Sequence, residues 1–255
     1  MRSALRGAIG VAGFLLLWEA AGHAGFAPQN LFPPVSMVFA RLGELLATEE
    51  FLREIIATVL AWLIALAVAT GIAVPLGLLL GSYPAVRRAT KVLVEFIRPV
   101  PPVALIPLLI VLIGNGPETK ISLAVFGALW PILFNTIYAL DELEPMYVET
   151  ARSFGLGRAA IMTRVALPNA LPFIFTGVRI SASIALILVI SVELRGGGTA
   201  GIGYWMLGVS QGIRQMDLVL AGTLVAGVIG LLSNYGLEWL QRRLFGWNEI
   251  AQEAR

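Results

Sequence analysis

The chain has no cysteine and a single histidine, His23, among its 255 residues. Disulfides, thiolate metal sites and cysteine nucleophiles are therefore excluded, and redox compartment leaves no mark on the composition. Charge is scarce as well. Asp, Glu, Lys and Arg make up 13% of the chain, where soluble domains carry about 25%. A net charge of +2, scattered over so few residues, excludes a nucleic-acid surface. No phosphate loop ending in Gly-Lys-Ser/Thr occurs, so ATP hydrolysis by that route would belong to another chain. What fills the sequence is hydrocarbon: 58% of residues are hydrophobic and the mean hydropathy is +0.84. Counted in spans of about 20 apolar residues, the chain has room for five or six. It reads as an all-α integral membrane protein with about six transmembrane helices.

Arg2 and Arg6 lead into an apolar run over 8–22, read as a retained first span because the small-residue cleavage pattern of a signal peptide is weak. Glu19 and His23 share one helix face near its outer end, where both reach interfacial water. The segment 36–56 intersperses Val38, Leu42 and Leu45 with Arg41, Glu44, Glu49, Glu50, Arg53 and Glu54, which predicts an amphipathic segment on the outer surface. No charge lies between Glu54 and Arg87, so 58–80 is a span, with a kink expected at Pro75. Arg87, Arg88 and Lys91 follow. The stretch from Pro99 to Pro117 is uncharged but holds Pro99, Pro101, Pro102 and Pro107, so its first part reads as broken helix. Irregular backbone at membrane depth must be buried in protein or line a wet cavity. Arg98, Pro101 and Pro102 thereby become candidates for a translocation path.

A turn at 114–120, a span at 121–140, a polar loop from 141, a span at 173–190, a glycine-rich outer segment at 193–217 and a last span at 218–237 complete the pass. Arg179, inside the fifth span, is either a snorkelling or paired arginine, with Glu95 as partner, or an electropositive lining for an anion. Glu193 and Arg195 are either a solvated rim or an outer gate that touches a delivery protein. Six spans with both termini inside place eleven of the eighteen Lys and Arg in the cytoplasm: Arg2, Arg6, Arg87, Arg88, Lys91, Arg152, Arg158, Arg164, Arg242, Arg243 and Arg255. Arg41, Arg53, Lys120, Arg195 and Arg214 fall outside. The positive-inside rule favours this orientation.

The polar stretch 149–168 interrupts all this. Pro145 suits a first helical position, and Tyr147, Val148, Ala151 and Phe154 give a short helix one apolar face. Gly155 ends that helix through a left-handed turn, assisted by Gly157. A second short helix, 158–166, is expected to end before Pro168. With Arg152, Arg158 and Arg164 on it and no core of its own, the unit needs a partner.

Glu149, Thr150 and Ala151, then Gly155, then Leu167 and Pro168 resemble the "EAA loop" of permease subunits in ATP-binding cassette (ABC) importers, with Thr150 where Ala is usual. Phe32 to Ser36, Arg98 to Pro107, Gly177-Val178-Arg179 and Gly201-Ile202-Gly203 are similar to the branch serving nitrate, sulfonate, taurine and related solutes. The resemblance implies the type I, MetI-like permease fold in a bacterial cytoplasmic (inner) membrane. It further implies a homodimer, two ABC ATPase subunits that hold the ATP and Mg, and an extracytoplasmic solute-binding protein, with no cofactor bound by this chain. The solute implied is a small anion of the nitrate, sulfonate, taurine or bicarbonate type. A pyrimidine precursor or an aromatic acid is the alternative on the same scaffold. The organisation expected is a first helix and outer segment over 1–57, a permease core over 58–245 enclosing the coupling loop 141–172, and a cytoplasmic tail over 246–255.

Other readings have less behind them. Gly196, Gly198 and Gly201 match a dinucleotide fingerprint without the strand that must precede it. Gly208, Ser210 and Gly212 match a nucleophile elbow, but His23, the only histidine, precedes the serine and lies at the end of the first span. An ATP-independent channel or secondary transporter would have no use for a docking loop, and the internal repeat common in transporters is absent.

Overall fold

In hydrocarbon every backbone group must be satisfied within the chain, which a helix does unaided. The computed structural model describes residues 2–24, 28, 31–211 and 215–253, with side chains over 6–24, 28, 31–211 and 215–245. Among the described residues every regular element is helical. They are α1 (Arg2–His23), α2 (Val35–Leu46), α3 (Glu49–Ser82), α4 (Pro84–Ile97), α5 (Ile106–Ile113), α6 (Pro117–Asp141), α7 (Pro145–Ser153), α8 (Arg158–Ile161), α9 (Leu167–Glu193), α10 (Ile202–Gln211) and α11 (Met216–Glu253).

Four helices, α3, α6, the α8–α9 rod and α11, are long and apolar enough to cross a membrane. The pair α4 and Pro102–Ile113, bent by 75°, raises the count to five. α1, which turns Ile9, Phe14, Leu16 and Leu17 outward, is the remaining helix of the expected six.

The core forms where α6 lies between α3 and α9. Hydrophobicity alone does not join helices in lipid, so close van der Waals fit must do it, and small residues permit that fit. α3 supplies one every fourth position: Ala61, Ala65, Ala69, Ala73 and Gly77, all buried. They meet a core that includes Ala124 and Ala128 of α6 and Ala182 and Ala185 of α9. At Gly77 a Cβ would stand 2.5 Å from the Thr136 Cβ, and at Gly177 one would stand 3.0 Å from the Ile132 Cα. Two buried bonds reinforce the contacts: Trp62 Nε1 donates to the Ala182 carbonyl at 2.8 Å and the Ser181 hydroxyl to the Ala128 carbonyl at 2.6 Å. Outward, α3 presents Leu60, Leu63, Ile64, Val68, Ile72, Leu76 and Leu79.

Several sequence expectations change. The segment 36–56 is not one surface element: α2 stops at Leu46, and Glu49 opens α3. Glu49 and Glu50 suit a first helical turn, where the dipole favours negative charge, and Phe51 is drawn fully inside, 4.7 Å from the Trp205 ring. α2 is tied on both flanks, through Arg41 Nε to Asp217 at 2.9 Å and Ser36 Oγ to Glu19 at 2.7 Å. Pro75 sits inside α3 without ending it. Pro168 does not end a helix either. Residues 162–166 form a π-type turn, and the chain runs on from Arg158 to Glu193. The wider turn relieves the clash a proline makes with the carbonyl four residues back. The glycine-rich segment 193–217 contains a helix, α10.

Enlarging Gly177 should therefore separate α6 from α9. We expect Gly177→Leu to lower the thermal midpoint of the detergent-solubilised protein, through an overpacking cost of about 1–3 kcal/mol. Gly71→Ala, where a Cβ meets nothing within 4 Å, should leave it unchanged.

Candidate docking loop and translocation path

α7 begins with Pro145 in its first turn, as expected, and closes in a Schellman arrangement. The Gly155 amide donates to the Arg152 carbonyl at 2.8 Å and the Leu156 amide to the Ala151 carbonyl at 3.1 Å. Gly155 takes φ +77° with open space where a Cβ would go, so conformation and not crowding demands glycine here. Of the four residues expected to form one apolar face, Ala151 alone is buried within the chain (6% exposed), while Phe154 is 82% exposed. Met146 and Tyr147 are exposed too. Too little protein lies against the short helix to cover it. Glu149, Thr150, Arg152, Arg158 and Arg164 are exposed, and the Glu149 carboxylate makes no hydrogen bond within the described residues. Leu167 and Pro168 join the loop to α9 directly.

The broken helix is where the prolines placed it. After α4 the chain turns through Arg98 to Pro101, forms a 3-10 turn over Pro102–Leu105 and enters α5. Pro102 approaches Gly127 of α6, whose missing Cβ would lie 3.5 Å from the Pro102 Cγ. The exposed Arg98 guanidinium sits 4.3 Å above the Phe134 ring and has no carboxylate partner among the described residues. Arg179 differs: half-buried, it donates to Gln241 Oε1 of α11 at 3.4 Å, and Gln241 donates to the Thr176 hydroxyl at 3.1 Å. The expected Glu95 partner is instead 3.7 Å from Lys91, one turn away on α4. Arg98 and Arg179 thus have different partners, the Phe134 ring and Gln241.

The opposite end of α6 and α9 holds a site that the sequence reading missed. Glu193 is fully buried, not a solvated rim, and Lys120 is 2% exposed, not part of an outer turn. Their Nζ and Oε1 atoms are 2.6 Å apart. Lys120 also donates to the Ala200 carbonyl at 2.7 Å. The Glu193 carboxylate further accepts from the Thr58 hydroxyl and the Gly203 amide, each at 3.0 Å, and Thr58 accepts the Ile202 amide at 2.8 Å. Glu54 takes the Gly201 amide. Gly201, at φ +134°, lies so close to the Glu193 carboxylate that any Cβ would overlap it. A usable signal existed: Pro117 opens a helix, so Lys120 already lies on the α6 face of Leu123, Ala124 and Gly127. Arg195, two residues beyond, is exposed. Ser210 lies within α10 with its hydroxyl on the Leu207 carbonyl, which is not an elbow geometry. Gly212 and Arg214 lie outside the described residues, as do Arg255 and the Arg2 side chain.

Removing one member of such a pair strands a buried charge, at a cost of about 3–5 kcal/mol. Lys120→Met and Glu193→Gln should each lower the thermal midpoint, and the double variant should recover a large part of the loss. Additive losses in the melting series would show that the two side chains are not coupled.

Comparison with known proteins places the chain. The family described as binding-protein-dependent transport system inner membrane component matches residues 73–246, more than half of it. The taurine transport system permease protein TauC of Escherichia coli is 29% identical over 243 residues, covering 93% of this chain and 88% of its own. The bicarbonate transport system permease protein CmpB of Synechocystis sp. is 29% identical over 243 residues, covering 91% and 86%. Among solved structures, the inward-facing MetNI methionine ABC transporter has a chain that superposes with a TM-score of 0.60 at 19% identity, over 83% of this chain and 97% of its own. That likeness concerns the fold and agrees with the MetI-like architecture expected. The matched region runs from mid-α3 into the last span and encloses the Glu149 to Pro168 loop, and the chain belongs to the binding-protein-dependent transport system inner membrane components.

Proposed function

We propose that this chain is the membrane permease of an ATP-driven importer, passing a small anion from an extracytoplasmic binding protein to the cytoplasm. The observation that carries the reading is the α7–Gly155–α8 unit. A helix, a glycine turn and a second helix project Met146, Tyr147 and Phe154 away from the bundle, and apolar groups so displayed at a polar loop suit a protein partner. A chain without a phosphate loop draws its energy from a separate ATPase, and this unit is the surface to receive it. Orientation by positive charge puts it in the cytoplasm.

The mechanism is alternating access between two states, each favoured by a different ligand. ATP binding moves the loop. The unbroken helix from Arg158 to Glu193 carries that movement toward the Lys120–Glu193 pair and the α10 segment. A second copy of the chain supplies the other half of the path.

An anion is favoured by the taurine and bicarbonate permeases among the relatives, and by Arg98, an exposed cation that lies beside the broken helix and has no carboxylate partner among the described residues. Arg179 is bound to Gln241 and contributes by holding α11 to α9. The solute itself is selected by the binding protein.

Two tests follow. In the complete importer, Gly155→Val should separate ATP hydrolysis from uptake, since a left-handed β-branched residue costs about 1–3 kcal/mol. Gly155→Asn, which tolerates that backbone, should keep coupling near the native ratio. Equal coupling in both variants would remove the turn from the mechanism. Arg179→Gln should leave the assembled complex intact while lowering its thermal midpoint, and a normal melt would show that the α9–α11 link carries nothing.

A further inference from the structure

Among the described residues one buried side-chain nitrogen or oxygen lacks a hydrogen-bond partner: the indole Nε1 of Trp130. Leaving such a donor unmet is costly, and an unmet group of this kind calls for a physical explanation. Its neighbours on α6 supply one. Phe126, Trp130 and Phe134 are four residues apart and form one stripe of the helix. Trp130 meets Phe126 edge-on at 5.9 Å and 89°, and stacks on Phe134 at 6.4 Å and 26°. An edge-on ring replaces only part of a conventional hydrogen bond.

The stripe is about 12 Å long at 1.5 Å per residue, and the broken helix lies beside it. Arg98 sits on Phe134 at one end, and Pro102 approaches Gly127 near the other. The segment 98–102 therefore runs past Trp130. That segment has no continuous helical ladder to hold it, and it joins two helices bent by 75°, so it is the part of the stripe's surroundings best able to shift. Among the described residues, one face of α6 thus combines an aromatic surface, a buried donor with no acceptor, and a guanidinium set against a ring with no carboxylate beside it.

We infer that Trp130 and Arg98 form an oxyanion-binding step on the translocation path, for a sulfonate or carboxylate whose organic part lies along Phe126, Trp130 and Phe134. When segment 98–102 moves off the stripe, the Trp130 N–H is uncovered and donates to one anionic oxygen while Arg98 takes another. The inference rests on the proposed anion transport and adds to it a site within the membrane.

The test uses the permease assembled with its ATPase, with the indole nitrogens labelled with nitrogen-15. The Trp130 signal is identified by its loss in Trp130→Phe, and ethanesulfonate or benzoate is titrated with and without a non-hydrolysable ATP analogue and Mg. In at least one nucleotide state the Trp130 N–H signal should move downfield with either anion and stay in place with ethylene glycol. Arg98→Gln should raise the anion concentration needed by about tenfold, the weight of one charge-assisted contact. Trp130→Phe, which keeps a ring and removes only the donor, should slow anion uptake by the complete importer about tenfold on the same grounds. A signal already at a hydrogen-bonded position before anion is added would mean that a second copy or a lipid meets the donor, and would overturn the inference. So would no shift in either nucleotide state in an importer that takes up its anion. A native importer that carries no anion would overturn the anion reading itself, and this site's ligand class with it.

Discussion

An ammonium and a carboxylate held 2.6 Å apart inside a bundle of hydrocarbon constrain nearly everything around them. Each charge would be prohibitively costly alone, and the pair is tolerable only because the remaining polar capacity is also met. Thr58 from α3, Lys120 from α6, Glu193 from α9 and the amides that open α10 all contribute. Four elements are thereby fixed in register at one end. Gly201 is part of the same constraint, since a side chain there would occupy the place of the carboxylate. Removing Lys120 or Glu193 leaves the other charge buried without its counter-charge.

At the other end the constraint is different. There the chain exposes what it cannot cover: Phe154, Met146 and Tyr147 around a turn that holds Gly155 in the left-handed region, which β-branched residues resist. The two ends are joined by α6 and by the continuous run from Arg158 to Glu193. Close approach through Ala61, Ala65, Ala69, Ala73 and Gly77 packs α3 tightly on α6. In the proposed mechanism a displacement at the loop travels as motion of packed helices, with the proline-broken stretch between α4 and α5 as the yielding part. That stretch lies beside Arg98 and the aromatic stripe of α6, where the proposed path runs.

Much of this was legible in the sequence, and the misses have physical causes. The spans followed from uncharged runs, and the broken helix from Pro99, Pro101, Pro102 and Pro107. The turn at Gly155 followed from one glycine after a short periodic segment. Lys120 and Glu193 were misplaced because a charged residue at the end of an apolar run ordinarily reaches water, and only tertiary contact shows that each supplies the other's counter-charge. Pro168 looked like a helix end because a proline usually is one, and a π-type turn ahead of it removes the clash. Glu95 looked like a partner for Arg179, but Lys91 stands one helical turn from it and takes it first. The aromatic stripe drew no attention because phenylalanine and tryptophan four residues apart are ordinary core, and the unmet N–H appears only once neighbours are in place.

The measurement that bears most directly on the account is affinity purification of the tagged, gently solubilised chain from its native host, with the native loop and with Glu149→Ala/Phe154→Ala in parallel. The account predicts that an ABC ATPase subunit accompanies the native chain and is lost from the variant, while the variant itself remains folded by its thermal melt. A native chain that purifies without any ATPase, under conditions in which a known importer stays intact, would contradict it.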